Sequence, residues 1–220
     1  MKTSLPKLAK LESKDIAYLG IFALLCLVSS FGLWHNFSKQ NAQSVDILFK
    51  SKVSDAQATI VQRMQLYEYG VRGVRGAVAS VGFDQLSRAS YLRYANTRDY
   101  DREFPGARGF GVIYRVPAAK AVDLENAMSA EYGENKPIKA LGENDGDKYV
   151  IRYIEPYSRN RDAVGLDIAS EVNRRTAADS SAVSGQARLT GPITVLQALQ
   201  NKGSAFLLLL PIYDEQPAIG

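Results

Sequence analysis

From Val45 onward, apolar or small residues return every third or fourth position: Val45, Phe49, Val53, Ala56, Ile60, Met64, Tyr67, Val71, Val74, Val78 and Val81. That spacing approximates the 3.5-residue repeat of a coiled-coil seam. No proline interrupts the chain between Pro6 and Pro105, so the pattern predicts one long helix over 36–80, a stalk. Ahead of it, Ile16 to Trp34 reads IAYLGIFALLCLVSSFGLW, with no Asp, Glu, Lys or Arg. As a helix this run spans about 28 Å, close to the hydrocarbon thickness of a bilayer. It predicts a transmembrane helix over 16–35, and its length and lack of an Ala-x-Ala site favour an uncleaved anchor over a secretory signal.

Past Gly82 the periodicity changes. The segment FDQLSRASYLRYANTRDYDREF predicts one polar helix, followed by a turn at Pro105-Gly106. RGFGVIYRV at 108–116 alternates and is rich in β-branched and aromatic residues, which predicts a strand ended by Pro117. A helix over 118–132, a turn over 142–146, a strand KYVIRYIE over 148–155 closed by Pro156, and a helix over 167–184 follow. A short strand at 187–193, interrupted by Pro192, and a buried strand AFLLLLPIY at 205–213 complete the pattern. Helices and strands mix without a βαβ repeat, so the expected class is α+β with a central antiparallel sheet. Residues 216–220 offer no element to finish a domain, and the chain is expected to continue in a longer protein.

Charge sharpens the membrane reading. The net charge is +4, but Lys2, Lys7, Lys10 and Lys14 crowd the first 15 residues against Glu12 and Asp15, leaving the remainder nearly neutral. There is no broad basic footprint for nucleic acid. Four lysines before the span and Lys39 alone in the 15 residues after it place residues 1–15 in the cytoplasm and the globular part outside, across an inner (plasma) membrane. Gly70, Gly73 and Gly76 each weaken a helix by up to about 1 kcal/mol relative to alanine, so close packing should compensate. Two arrangements fit the seam: a parallel homodimer, or a helix packed on its own domain. Arg72 and Arg75 fall between the glycines, on a solvated or ion-paired face.

Candidate chemistry is sparse. Cys26 is the sole cysteine, which excludes an intrachain disulfide and a zinc cluster. His35, the sole histidine, lies at the end of the apolar run, so no Ser-His-Asp arrangement is available. A hydrolase would depend on carboxylates such as Glu155 and Asp167. The glycines at 106, 109 and 111 open a strand and lack the dinucleotide order. Asn144, Asp145 and Asp147 lack the spacing and distal glutamate of a calcium loop. No catalytic residue, metal or cofactor is expected. Asp167, before a helical run, suits an N-cap or a ligand contact, and Tyr114, Tyr149, Tyr153 and Tyr213 suit core packing or a pocket wall. Arg152 and Arg174 would form a cationic cluster for a carboxylate or phosphate if they share a face; otherwise each is solvated or pairs with Glu155 or Glu171.

Five segments, in order, carry a resemblance: Pro105-Gly-Ala-Arg-Gly-Phe-Gly-Val112, Tyr153-Ile-Glu-Pro-Tyr157 with Asn160, Gly165-Leu-Asp-Ile168, Leu189-Thr-Gly-Pro192 and Leu210-Pro-Ile-Tyr213. Over 83–213 the chain resembles the CHASE family, the extracellular sensory domains of bacterial and plant receptors, cytokinin receptors among them. The resemblance implies a stalk helix carrying two stacked PAS-like modules, with a small-molecule ligand bound in the membrane-distal one. Residues 81–220 would form most of that distal module; the second module, a returning helix and a cytoplasmic output, a histidine kinase or diguanylate cyclase, would lie elsewhere. It also implies ligand contacts at Thr190 and Leu196. At the position where plant members carry an adenine-binding acid stands Arg174, a cationic donor in place of an acceptor, so an anionic ligand fits better. A ligand-free tether or protein-binding domain is the alternative.

Overall fold

The computed structural model describes residues 13–194 and 204–214. Helix α1, Ser13–Val81, is continuous through the apolar run and the stalk. The predicted anchor and stalk are thus one element. An 18-residue window within it has mean hydropathy 2.2 and no buried share, long and apolar enough to cross a membrane. The helix stops at Gly82, whose φ of 84° is a left-handed conformation that side chains resist, and its amide returns to the Val78 carbonyl at 2.9 Å.

The chain divides into two compact units, residues 1–60 and 61–220. The first contains α1 up to Ile60, and there Val45, Phe49, Val53 and Ile60 are all exposed. The second is an α+β unit in which the same apolar row turns inward. Val74 and Val78 are buried in one cluster with Leu86, Tyr91, Phe104, Phe110 and Tyr153. Of the arrangements the seam allowed, this stretch adopts packing on its own domain. A Cβ on Gly70 would lie 2.5 Å from the Phe110 ring, and one on Gly73 2.8 Å from the Tyr94 hydroxyl, whereas Gly76 faces open space. Two of the three glycines are therefore explained by close approach of the domain's own aromatic rings. Arg72 pairs with Glu68 at 2.6 Å on the exposed side.

The single polar helix expected after Gly82 is broken. A 3₁₀ turn at Phe83–Gln85, α2 (Arg88–Ala95) and α3 (Tyr100–Glu103) replace it. Competing caps cause the breaks: Ser87 and Ser90 form a reciprocal capping box at α2, and Asp99 accepts from the Arg102 amide at α3. Strand β1 (Phe110–Val116), a 3₁₀ turn at Ala118–Lys120, α4 (Ala121–Tyr132) and strand β2 (Lys148–Glu155) agree closely with the pattern. The short α5 (Tyr157–Asn160) follows Pro156.

The antiparallel β1–β2 ladder is small, and its register breaks once. Val112 pairs with Tyr153 but Ile113 pairs with Ile151, leaving Arg152 as the extra residue of a bulge. The bulge changes which residues share a face. Val112 and Tyr153 join the core against α1 and α2, and Val150 packs with Leu124 and Met128 of α4. Tyr149, Ile151, Ile113 and Ile154 belong to the opposite cluster, with Leu166, Ile168 and Ala178.

Helix α6, Val172–Ser184, begins five residues later than expected, because Glu171 caps its first amides. The predicted strand 187–193 is two fragments, β3 (Arg188–Leu189) and β4 (Ile193–Thr194), and 204–213 supplies β5 (Ser204–Ala205) and β6 (Leu208–Leu209), half-buried at most where described. They pair β3 with β6 and β4 with β5. Among the described residues, three two-stranded ladders stand in place of one central sheet.

Candidate functional site

The candidate residues separate onto the two faces of the β1–β2 ladder. On the face toward α4, the Arg152 guanidinium donates to Glu131 Oε1 at 2.7 Å and lies over the rings of Tyr114, 4.7 Å, and Tyr153, 5.2 Å. Tyr153, fully buried, donates to the same Glu131 oxygen at 3.1 Å, and Tyr132 donates to the Arg152 carbonyl at 2.9 Å. Burial pulls the Arg152 guanidinium down, but the Glu131 hydrogen bond and the charges around it outweigh that and hold it raised. Burial raises the Tyr114 phenol, with Arg152 opposing. Tyr114 Oη, Glu131 Oε2 and Arg152 Nε are buried there without hydrogen-bond partners among the described residues.

Arg174 lies on α6, which packs against the opposite face. The two arginines do not form a shared cationic cluster. Arg152 pairs with Glu131, while Arg174, 3% exposed, has the Glu171 carboxylate at 3.9 Å. Burial lowers the Arg174 guanidinium and Glu171 offsets part of that.

Asp167 is an organiser of the backbone. As expected of a cap it precedes a helical turn, but the turn is the 3₁₀ segment Ile168–Ser170 and not α6: its Oδ1 accepts from the amides of Ala169, 3.0 Å, and Tyr149, 2.8 Å, and its Oδ2 from Asn144 at 2.8 Å. A buried carboxylate satisfied by two amides and a side-chain amide ties β2, the 144–147 turn and the 168–170 turn together. Thr190 is equally internal: its amide donates to the Leu207 carbonyl at 2.9 Å and its Oγ1 accepts from the Leu207 amide at 3.0 Å, extending the β3–β6 pairing by one residue. Next to these two positions, Asn173 donates to the Pro192 carbonyl at 3.5 Å, bringing the first turn of α6 against the 189–192 segment. Leu196 lies outside the described residues.

Residues the pattern did not single out complete the α4 face: Glu131 and Tyr132 on α4, Arg88 on α2, Lys136 in the connection after α4 and Tyr157 on α5. Arg88 lies 4.6 Å from the Tyr132 ring centroid and 5.4 Å from that of Tyr157. No local signal gathers them, because they come from separate elements. Two open clefts lie elsewhere in the second unit. One, about 470 Å³, is lined by Gly76, Val78, Val81, Leu86, Tyr91 and Arg93 among others; the second, about 400 Å³, by Arg115, Asp147, Tyr149, Arg175 and Asp179 among others. Tyr149, a possible pocket wall, lines the second; among the described residues, Tyr114, Arg152, Asp167, Arg174 and Thr190 line neither.

The arrangement gathers buried and half-buried cations and phenols, Arg152 and Arg174 each beside a carboxylate. No curated protein matches the chain. A family model described as the CHASE domain matches residues 84–219, which takes in α2 through β6 and both faces of the ladder. CHASE domains are extracellular sensory domains of receptors that bind small-molecule ligands, and this chain belongs to that family.

Proposed function

We propose that the chain is the extracytoplasmic ligand-sensing input region of a transmembrane signalling receptor. Residues 16–35 span the inner membrane with the N-terminus in the cytoplasm, 36–80 form the stalk, and 81–220 form most of a membrane-distal PAS-like module. A small molecule, an anion given Arg174, binds on the α6 side of the ladder, among Arg174, Thr190 and Asp167, with Leu196 as the further contact that the family resemblance implies. Arg152 and Tyr114 contribute from behind the sheet by fixing its bulge. Binding favours one arrangement of the domain over another, and α1 passes that bias to a cytoplasmic output, a histidine kinase or diguanylate cyclase.

The observation that carries this reading is a guanidinium 3% exposed inside a domain of a sensory family. Guanidinium forks bind carboxylate and phosphate groups through paired, charge-assisted hydrogen bonds, and an anionic ligand beside Arg174 would add to the partners it already has, Glu171 among them. The exposed apolar row from Val45 to Ile60 supports a second copy of the chain as partner, giving a homodimer through the stalk. The same row also favours one other reading, a membrane-tethered protein-interaction domain without a small ligand.

A thermal-shift screen of the full chain in neutral detergent against organic acids, amino acids and purines separates the two. Ligand at 100 times its Kd stabilises the folded state by about 2.7 kcal/mol. A shift with an acid that Arg174→Ala removes supports the sensor; silence across all classes favours the tether; a shift with an uncharged purine contradicts the anionic pocket.

A further inference from the structure

Three cations from three different elements converge on one aromatic ring. Arg88 is the first residue of α2, Lys136 follows α4, and Arg161 opens the 3₁₀ turn Arg161–Ala163. Their charged groups lie 5.4, 5.4 and 5.9 Å from the centroid of Tyr157. Lys136 is paired: its Nζ lies 2.7 Å from Glu134, which also accepts from the Tyr157 hydroxyl at 2.7 Å. Glu155 is engaged with the Tyr157 amide at 2.7 Å. Arg88 and Arg161 enter no ion pair among the described residues. The Arg88 Nε is buried without a hydrogen-bond partner among the described residues.

Glu134 offsets part of this crowding, at Lys136 and Arg161, but Arg88 gains no such partner among the described residues. A cation in the first turn of a helix opposes the macrodipole, and the first turn of α2 holds no acid to offset it. Like charges brought together repel, and the ring quadrupole compensates only in part. A group that repays all three is an oxyanion, which guanidinium forks bind through paired hydrogen bonds.

We propose that Arg88, Lys136 and Arg161 form an anion-binding site at the Tyr157 ring, taking a carboxylate or phosphate group. It uses none of the residues assigned to the ligand on the α6 side, so either site can fail without the other. A bound anion would join α2 to the segment after α4 and to the 161–163 turn, three elements with no ion pair between them among the described residues.

The test is calorimetric titration of the full chain, in neutral detergent at constant ionic strength, with inorganic phosphate and separately with succinate. Vesicles of phosphatidylglycerol form a third arm, which distinguishes a lipid headgroup from a free anion. Saturable binding of at least one probe is expected, weakened about tenfold or more by Arg88→Gln and by Arg161→Gln. Arg88→Lys, which keeps charge and loses the fork, should fall between, and the remote Arg115→Gln should bind as the unaltered chain does. Arg161 is exposed, so its variant tests the site even where Arg88→Gln disturbs folding. No saturable response to any probe at millimolar concentration, or a response unchanged in both glutamine variants, overturns the proposal.

Discussion

One periodic pattern runs the length of helix α1, yet its two parts meet different surroundings. Val45, Phe49, Val53 and Ile60 are exposed, whereas Val74 and Val78, continuing the same row, are buried against the domain's aromatic core. An apolar row at threes and fours states that a helix face wants covering; it does not state by what. Here the answer changes within the second unit, where α1 meets Phe104 and Phe110 at Gly70 and Tyr94 at Gly73. The glycines mark the change, since Gly70 and Gly73 sit where Phe110 and Tyr94 press closest and Gly76 sits beyond them, beside open space.

The largest effect should come from Gly70→Leu. A Cβ alone would stand 2.5 Å from the Phe110 ring, so overpacking should remove about 3 kcal/mol or more from the second unit, read as a lowered denaturant midpoint. Val78→Ala, which empties a fully buried position, should lower stability by about 2 kcal/mol. Gly76→Ala reverses the sign: with nothing within 4 Å of its Cβ, it should gain about 0.5–1 kcal/mol from helix propensity. Phe49→Ala in the exposed row should leave unfolding of the second unit within about 0.5 kcal/mol of the unaltered chain. If a second copy covers that row, the same substitution weakens self-association in sedimentation, and this separates the two parts of α1 by function.

Alkaline titration sharpens the contrast from another side. Burial, opposed by Arg88, pushes the Tyr132 phenol up to about 12. Burial and the Asp179 hydrogen bond do the same for Tyr149, also to about 12. Each proton is held more tightly in the folded state than in the unfolded one, where it leaves near 10. The contribution of these two phenols to stability should therefore be full below pH 10 and be lost as pH rises from about 10 to about 12. Denaturant unfolding followed across that range should show the loss, and Tyr132→Phe should remove part of it.

How much was legible follows from where each determinant sits. Strand β2 and the helix after Pro117 were readable because alternation, β-branched residues and prolines act within a few positions. The helix expected over 83–104 failed because Ser87 and Asp99 offered the backbone local caps stronger than helix continuation. Asp167, expected to cap the helical run after it, caps the 3₁₀ turn Ile168–Ser170 through the Ala169 amide, while its bonds from Tyr149 and Asn144 are set by tertiary placement and had no local signal. The bulge at Arg152 has no sequence signature. Without it Tyr153 would share a face with Tyr149 and Ile151, and the cluster with Glu131 would not form. The cationic group at Tyr157 was invisible for a related reason: Arg88, Lys136 and Arg161 are far apart in the chain and meet only in the fold.

The most direct test is thiol labelling in a Cys26→Ser background, on chains held one per nanodisc so that no second copy can shield the helix. Cysteine is placed singly at Phe49, Val53, Val74 and Val78. The account predicts rapid modification at 49 and 53 and modification at 74 and 78 slower by about a hundredfold or more, the rate being limited by opening of the core. Equal rates at all four positions would contradict it, for the distal stretch of α1 would then not belong to the domain it is described as supporting.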